Sequence, residues 1–144
     1  MAEKDLHRLR AEAQRYAGVH FIAVSHSALD ATSRWLDLVG GAGNVEILID
    51  PNRDIYTAYG LGRASVFAML NLPRELSALF RLKRQGYVLR ATEDGNRWQT
   101  GGLAAIAADG TVKYAHAATW TNDTGDFDAA IAAVNAASAR NSKL

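Results

Sequence analysis

Apolar residues follow two different spacings along the chain, and their alternation predicts a mixed α/β fold. Leu6, Leu9, Ala13 and Tyr16 recur at helical spacing, which predicts a first helix. Val19–Ser25 is instead a nearly continuous apolar run with β-branched residues, which is typical of a strand buried on both faces of a parallel sheet. The chain therefore opens with a helix that leads into a buried strand.

A second helix begins after this strand. Ser27 is expected to cap it, with Asp30 three residues later as the capping partner. Its predicted end is the pair Gly40–Gly41, because glycine readily adopts the positive φ angle that terminates helices. One face of this helix is expected to be buried, and it carries Leu29, Thr32, Leu36 and Val39.

Val45–Ile49 is predicted as a second buried strand. Asp50 and Pro51 then suit the N-cap and the first position of a short helix that is expected over Asn52–Tyr59. The stretch between Arg63 and Arg84 is expected to be mainly helical.

The last third of the sequence predicts a β-hairpin and a closing helix. Leu103–Ala108 and Thr111–His116 are strand-like and flank Asp109–Gly110, a pair that favours tight turns. Apolar residues at helical spacing then mark the final helix; they are Phe127, Ile131 and Val134. This order predicts a mixed sheet with helices on both faces. We expect one domain over residues 1–141 and an exposed tail over residues 142–144.

Composition excludes several classes of function. The net charge of +1 argues against nucleic-acid binding by bulk charge. The absence of cysteine excludes disulfides, iron–sulfur clusters and thiol nucleophiles in this sequence. No apolar run approaches the roughly 20 residues that span a bilayer, so no membrane association is expected. The terminal Ser142-Lys143-Leu144 matches a peroxisomal address, which predicts import through its receptor, with a cytoplasmic location as the alternative.

Three stretches, VHFIAVSHS, VEILIDPNRDIYTAYGLG and TEDGNRWQTGGLAAIAADGTVKYAH, resemble in their order and spacing the peroxiredoxin-like branch of the AhpC/TSA superfamily. The resemblance covers roughly Glu3 to Val134 and implies a thioredoxin fold. Its fungal members are especially similar in Arg97–Thr100.

Compared with that family, the sequence is expected to start inside the first helix, without the preceding central strand and its cysteine loop. By analogy with thioredoxin, the missing strand would lie between Val19–Ser25 and Leu103–Ala108. The flanking strands can pair directly, Tyr87–Arg90 can fill the gap, or a second chain can complete the sheet as a homodimer. We favour the homodimer, since an open edge invites aggregation. A truncated gene product without a function is a further alternative. The position that faces the redox site, a cis-proline in thioredoxin, is Gly101–Gly102, and the family also has glycine there.

Polar residues are predicted to meet at the carboxyl edge of the sheet, where open α/β sheets bind ligands. We expect His26 to act as acid or base, with His116 or Asp50 as its counterpart, because imidazole exchanges protons near neutral pH. The expected substrate-binding residues surround them; they are Ser25, Ser27, Arg97, Trp98, Gln99 and Thr100. The simpler alternative makes Ser25, Ser27 and Asp50 helix caps.

Three functions remain open on this reasoning. The favoured one is a non-redox enzyme for a small organic molecule, of cyclase, isomerase or dehydratase type, with fungal secondary metabolism as its setting. The others are a binding module, for instance for acyl-CoA held by basic residues such as Arg81 and Arg84, and a pseudo-enzyme that contacts a protein partner. No cofactor is expected, and no metal, since local ligand patterns such as H-x-x-x-H are missing.

Overall fold

A computed structural model describes residues 2–61, 77, 80–81, 83–86, 99–119 and 123–141. The chain is α/β, as predicted, and its elements follow the predicted order. They are α1 (Ala2–Arg15), β1 (Ile22–Ser25), α2 (Leu29–Leu38), β2 (Glu46–Ile49), α3 (Asp54–Ala58), β3 (Gly102–Ile106), β4 (Val112–Ala117) and α4 (Phe127–Asn141). The described residues within the helix expected between Arg63 and Arg84 are helical.

The helix starts differ from the expected capping pattern. Helix α2 begins after Ala28, without a side-chain cap, and the backbone N–H of Ser27 instead donates to the Ser25 hydroxyl. The predicted Ser27 capping box is therefore wrong. The expected buried face is only partly right, because Thr32 is buried whereas Leu29 is 66% exposed in the first turn.

Strand β1 is shorter and more exposed than its apolar run suggested. It pairs in parallel with β2 only, in the register Ile22 to Glu46 and Ser25 to Ile49. The Ile22 residue is 44% exposed, so the prediction of burial on both faces is wrong at this end. The physical reason is that among the described strands β1 has a neighbour on one side alone.

The four described strands form two separate two-stranded sheets. Strand β3 pairs antiparallel with β4, with Gly102 opposite Ala117 and Leu103 opposite His116. Of the three ways to fill the expected central gap, direct pairing of β1 with β3 is therefore not what the structure shows. The segment Tyr87–Arg90 lies outside the described residues, so that alternative stays a prediction.

The free edge of β1 can be identified from its hydrogen bonds. The Phe21 carbonyl accepts the N–H of Glu46 in β2, and the Ser25 carbonyl accepts the N–H of Asp50 just after it. The alternate residues Ile22 and Val24 therefore turn their backbone groups the other way. One of these groups has a partner, since the Tyr56 hydroxyl donates to the Val24 carbonyl at 2.8 Å. A side chain thus satisfies a carbonyl that a neighbouring strand would otherwise use.

The core joins the two halves of the chain. Leu6 of α1 packs in one buried cluster with Phe21, Val39, Val45 and Ile131 of α4. Helix α4 also packs on the β3–β4 hairpin. The Arg10 guanidinium ties α1 to the end of α2, where one nitrogen donates to the carbonyls of residues 39–41 at 2.8–3.2 Å. These contacts fix α1 beside the start of α4, which matters for the site.

Candidate functional site

The turn after β1 is ordered by hydroxyl groups. The hydroxyls of Ser25 and Thr32 lie 2.8 Å apart, and the Ser25 oxygen also accepts from the Ser27 N–H at 3.3 Å. Thr32 is buried. Ser25 and Thr32 therefore satisfy each other and hold the first turn of α2 against the end of β1.

Asp50 follows β2 and serves as a helix cap in the structure. Its carboxylate accepts backbone N–H groups from Asp54, Ile55 and Tyr56 at 2.9, 2.9 and 3.2 Å, and the residue is only 5% exposed. The helix starts later than predicted because Arg53 has a φ of 65°, which interrupts the helical path. Both carboxylate oxygens are thus committed to the first turn of α3.

Tyr56 is a member of this region that the sequence reasoning missed. Its ring meets the His26 ring edge-on, with centroids 5.8 Å apart. Burial, and then the negative charge of Asp50, raise the pKa of the Tyr56 hydroxyl. The Nε2 atom of His26 is buried and has no hydrogen-bond partner among the described residues. The local sequence around Tyr56 gave no sign that its hydroxyl would reach back to β1.

A second polar group forms at the end of β4, where His116 meets Asp123. The Nε2 of His116 lies 2.5 Å from Oδ1 of Asp123. The other carboxylate oxygen accepts the N–H and the hydroxyl of Thr119 at 2.9 and 3.0 Å. Gly125 has a φ of 75°, and a Cβ there would lie 3.1–3.2 Å from the imidazole. The loop can therefore lie close to the ring only with glycine at this position.

The charge on Asp123 follows from its contacts. Partial burial raises the pKa of Asp123, but hydrogen bonds from Thr119 and His116 outweigh it, so the net pKa lies below its ordinary value. The carboxylate is therefore ionised near neutral pH and can only accept hydrogen bonds. In neutral His116 the proton then sits on Nε2, which leaves the lone pair on Nδ1. This arrangement prepares Nδ1 to accept a proton.

His116 and Asp123 line an open depression of about 580 Å³ between α1, β4 and the start of α4. Arg8 contributes from α1, and its guanidinium lies 4.5 Å above the Phe127 ring. The Tyr114 hydroxyl accepts the Asp126 N–H at 2.9 Å. The described residues that line the depression are Arg8, Tyr114, His116, Asp123, Thr124, Gly125, Asp126 and Asp128.

The predicted site residues therefore fall into two groups rather than one. His26, Ser25, Ser27 and Asp50 lie around the ends of β1 and β2, whereas His116 has its own partners at the end of β4. Among the described residues, the His26 ring contacts Tyr56, and His26 does not line the depression beside His116.

Gln99 and Thr100 lie where the chain enters β3. The Gln99 side-chain amide donates to the Leu61 carbonyl at 3.3 Å, so it ties this entry to the segment after α3. Arg97 and Trp98 lie outside the described residues, and their predicted role in binding stays a prediction.

Sequence reasoning also missed Asp123 and Arg8. Asp123 follows His116 by seven residues, in a loop that gave no local pattern, and Arg8 belongs to a helix distant in sequence. Within the described part of the chain, no group of three or more acidic or histidine side chains is arranged to hold a metal ion. None of the described helices is long and apolar enough to cross a membrane.

The sequence was compared with protein families, curated proteins and solved structures, and the family comparison gives a match. The family model described as AhpC/TSA antioxidant enzyme matches residues 5–119. No curated protein and no solved structure gives a match. The matched range includes both strand pairs and His116 but ends before Asp123.

Proposed function

The chain belongs to the AhpC/TSA antioxidant enzyme family but contains no cysteine, and from this premise we propose a non-redox enzyme that performs acid–base chemistry on a small organic molecule. Without a thiol, these 144 residues cannot form the sulfenate that peroxidase chemistry requires. The thioredoxin-like scaffold would serve a reaction of isomerase, cyclase or dehydratase type, with secondary metabolism as the proposed setting.

The observation that carries this proposal is the 2.5 Å contact between His116 Nε2 and Asp123 Oδ1 at the wall of an open depression. A base that is oriented by a second group is the usual arrangement in enzymes that move protons. About a third of the His116 side chain is exposed, against 16% for Asp123. The imidazole is thus reachable while the carboxylate that orients it is shielded.

His116 would act in two steps. Nδ1 first accepts a proton from a C–H group that is acidified by a neighbouring carbonyl, and the imidazolium is stabilised by Asp123. The imidazolium exchanges this proton with solvent and then delivers a proton to another carbon, which completes an isomerisation, or to a hydroxyl that leaves as water. No electrons are gained or lost, so the cycle needs no redox partner.

His26 and Asp50 enter this proposal differently from the sequence-based expectation. Asp50 caps α3 with both oxygens, so we assign it to stability rather than to proton transfer. His26 remains a second proposed site residue, supported by the buried Nε2 atom that lacks a partner among the described residues.

Deuterium incorporation tests the proposal without a known substrate. The purified protein is incubated in D₂O with a small-molecule extract of its source, and mass spectrometry records which compounds gain deuterium at carbon. We expect wild type to label at least one compound, His116→Gln to lose the labelling, and His20→Gln to retain it. The control is apt because His20 is exposed and pairs with Glu46 on β2. Equal labelling by wild type and His116→Gln would refute the assignment.

A second candidate is a protein-interaction module, and the free strand edges favour it. Backbone groups of Ile22 and the N–H of Val24 on β1, and those of Gly102 and Ala104 on β3, turn away from the only described neighbouring strands, while Tyr56 already occupies the Val24 carbonyl. An extended strand from a second copy would satisfy such groups and give a homodimer. Light scattering after size exclusion tests it, since a monomer at all concentrations would exclude the dimer.

Peroxisomal import stays a proposal that rests on Ser142, Lys143 and Leu144, which lie outside the described residues. A fluorescent protein fused to the N-terminus is expected to collect in peroxisomes and to become diffuse when Leu144 is deleted. A diffuse signal with the tail intact would contradict the proposal.

A further inference from the structure

The side chains around His116 give the depression a net negative charge. Asp123 and Asp126 come from the loop and Asp128 from α4, whereas Arg8 from α1 is the one basic side chain besides His116 among the described residues of the lining. The remaining titratable group among these described residues is the phenol of Tyr114. In the described part of the lining, three carboxylates thus face one permanent cation.

The carboxylates are not equally available to a ligand. Asp126 Oδ1 accepts the N–H groups of Asp128 and Ala129 at 3.0 Å, so it caps α4. Asp128 is 80% exposed and lies 3.9 Å from Arg8, too far for a direct hydrogen bond. Asp128 is therefore the carboxylate most open to an incoming group.

The Arg8 guanidinium already has contacts within the protein. Its guanidinium lies over the Phe127 ring at 4.5 Å, and its nearest acidic partner is Asp128. An incoming carboxylate or phosphate that bound the N–H groups of Arg8 would also approach Asp123, Asp126 and Asp128. Like charges at such distances repel, although solvent screens part of the effect in an open site.

We propose that the depression selects a small molecule that carries a protonated amine, and that it discriminates against anions such as carboxylates and phosphate esters. This inference deepens the proposed function and rests on it, because it names the substrate class for His116. It places the ammonium near Asp128 and the reacting C–H near His116 Nδ1. It also disfavours the acyl-CoA ligand considered from the sequence.

A matched set of probes tests the charge preference. Benzylammonium, benzyl alcohol and benzoate have nearly the same size and differ in charge, and their binding can be followed by amide NMR shifts of His116 and Gly125 at low ionic strength. We expect benzylammonium to bind about tenfold more tightly than benzoate, with the alcohol between them. The expected change for Asp128→Asn is a two- to threefold weaker affinity for benzylammonium. Asp30→Asn, which removes the same charge from exposed α2, is the control and is expected to leave the affinity unchanged.

The possible results distinguish the charge preference of the depression from the proposed role of His116. Benzoate binding as tightly as benzylammonium would overturn the charge preference and leave the His116 assignment to the deuterium experiment. An equal effect of Asp128→Asn and Asp30→Asn would also overturn it, since the preference would then be a long-range effect of net charge. No shift with any of the three probes would overturn the inference. If deuterium labelling were also independent of His116, the proposed function would be refuted as well.

Discussion

Replacing Gly102 by alanine tests how closely β3 is built against its neighbours. A Cβ at this position would lie 2.6 Å from a Leu61 methyl carbon and 2.7 Å from the His116 carbonyl oxygen. Both distances are far inside the roughly 3.5 Å at which non-bonded carbon atoms make favourable contact. The Leu61 methyl sits at the end of a flexible side chain and can move, but the carbonyl belongs to β4 and cannot move without disturbing the ladder.

We therefore expect Gly102→Ala to lower the free energy of unfolding by about 2–3 kcal/mol, in the upper part of the range for overpacked sites. The loss is large against a typical total of about 5–15 kcal/mol. Gly101→Ala is the matched control, because a Cβ there meets nothing within 4 Å and its φ angle is not positive. Urea unfolding followed by circular dichroism measures both variants. The reasoning fails if Gly102→Ala and Gly101→Ala unfold at the same urea concentration.

Three further predictions concern the polar residues. Asp50→Ala removes the acceptor of three N–H groups and is expected to lower the free energy of unfolding in urea by about 2–3 kcal/mol. The control Asp126→Ala removes an exposed cap and is expected to lower it by about 1 kcal/mol. Equal losses for the two variants would contradict the burial argument. Tyr56→Phe should lower the free energy of unfolding by about 1 kcal/mol, because it removes the hydrogen bond to the Val24 carbonyl. Tyr59→Phe, at an exposed position, should leave it unchanged in the same urea unfolding measurement. Burial raises the pKa of Asp5 to about 6. Asp5 therefore holds its proton more tightly in the folded protein than in the unfolded chain. The free energy of unfolding should fall as pH rises from about 4 to 6, where the unfolded chain loses this proton first. Asp5→Asn should remove that fall and stabilise the protein at pH 7 by about 2 kcal/mol; a pH profile unchanged from wild type would contradict this.

The sequence predicted the hairpin and its turn well because both depend on local chemistry. Asp109 accepts the Thr111 N–H at 2.9 Å, and Gly110 has a φ of 81°, as the Asp-Gly pair implies. The Asp50 carboxylate does accept N–H groups of the helix start, as expected, but the N-cap position is Arg53 and Pro51 lies before the helix, so the predicted placement of Asp50 and Pro51 is wrong. The Ser27 capping box failed because Ser25 offered a competing partner for the Ser27 N–H.

The site was less predictable than the fold. His116 was expected at the carboxyl edge with His26, but its partner in the structure is Asp123, from a loop with no recognisable pattern. Arg8 reaches the same depression from a helix more than a hundred residues earlier in the chain. Such pairings depend on how α1 and α4 pack together, and no short-range spacing encodes that packing.

The sequence by itself determined the α/β class, the order of the elements and the lack of cysteine in these 144 residues, because hydrophobic period, turn residues and composition act locally. Only the tertiary structure decided that the described strands form two separate pairs, that Asp50 is committed to α3, and that Asp123 orients His116. Those outcomes depend on which backbone and side-chain groups compete for the same partners once distant segments meet. That competition is settled by packing in three dimensions rather than by neighbours along the chain.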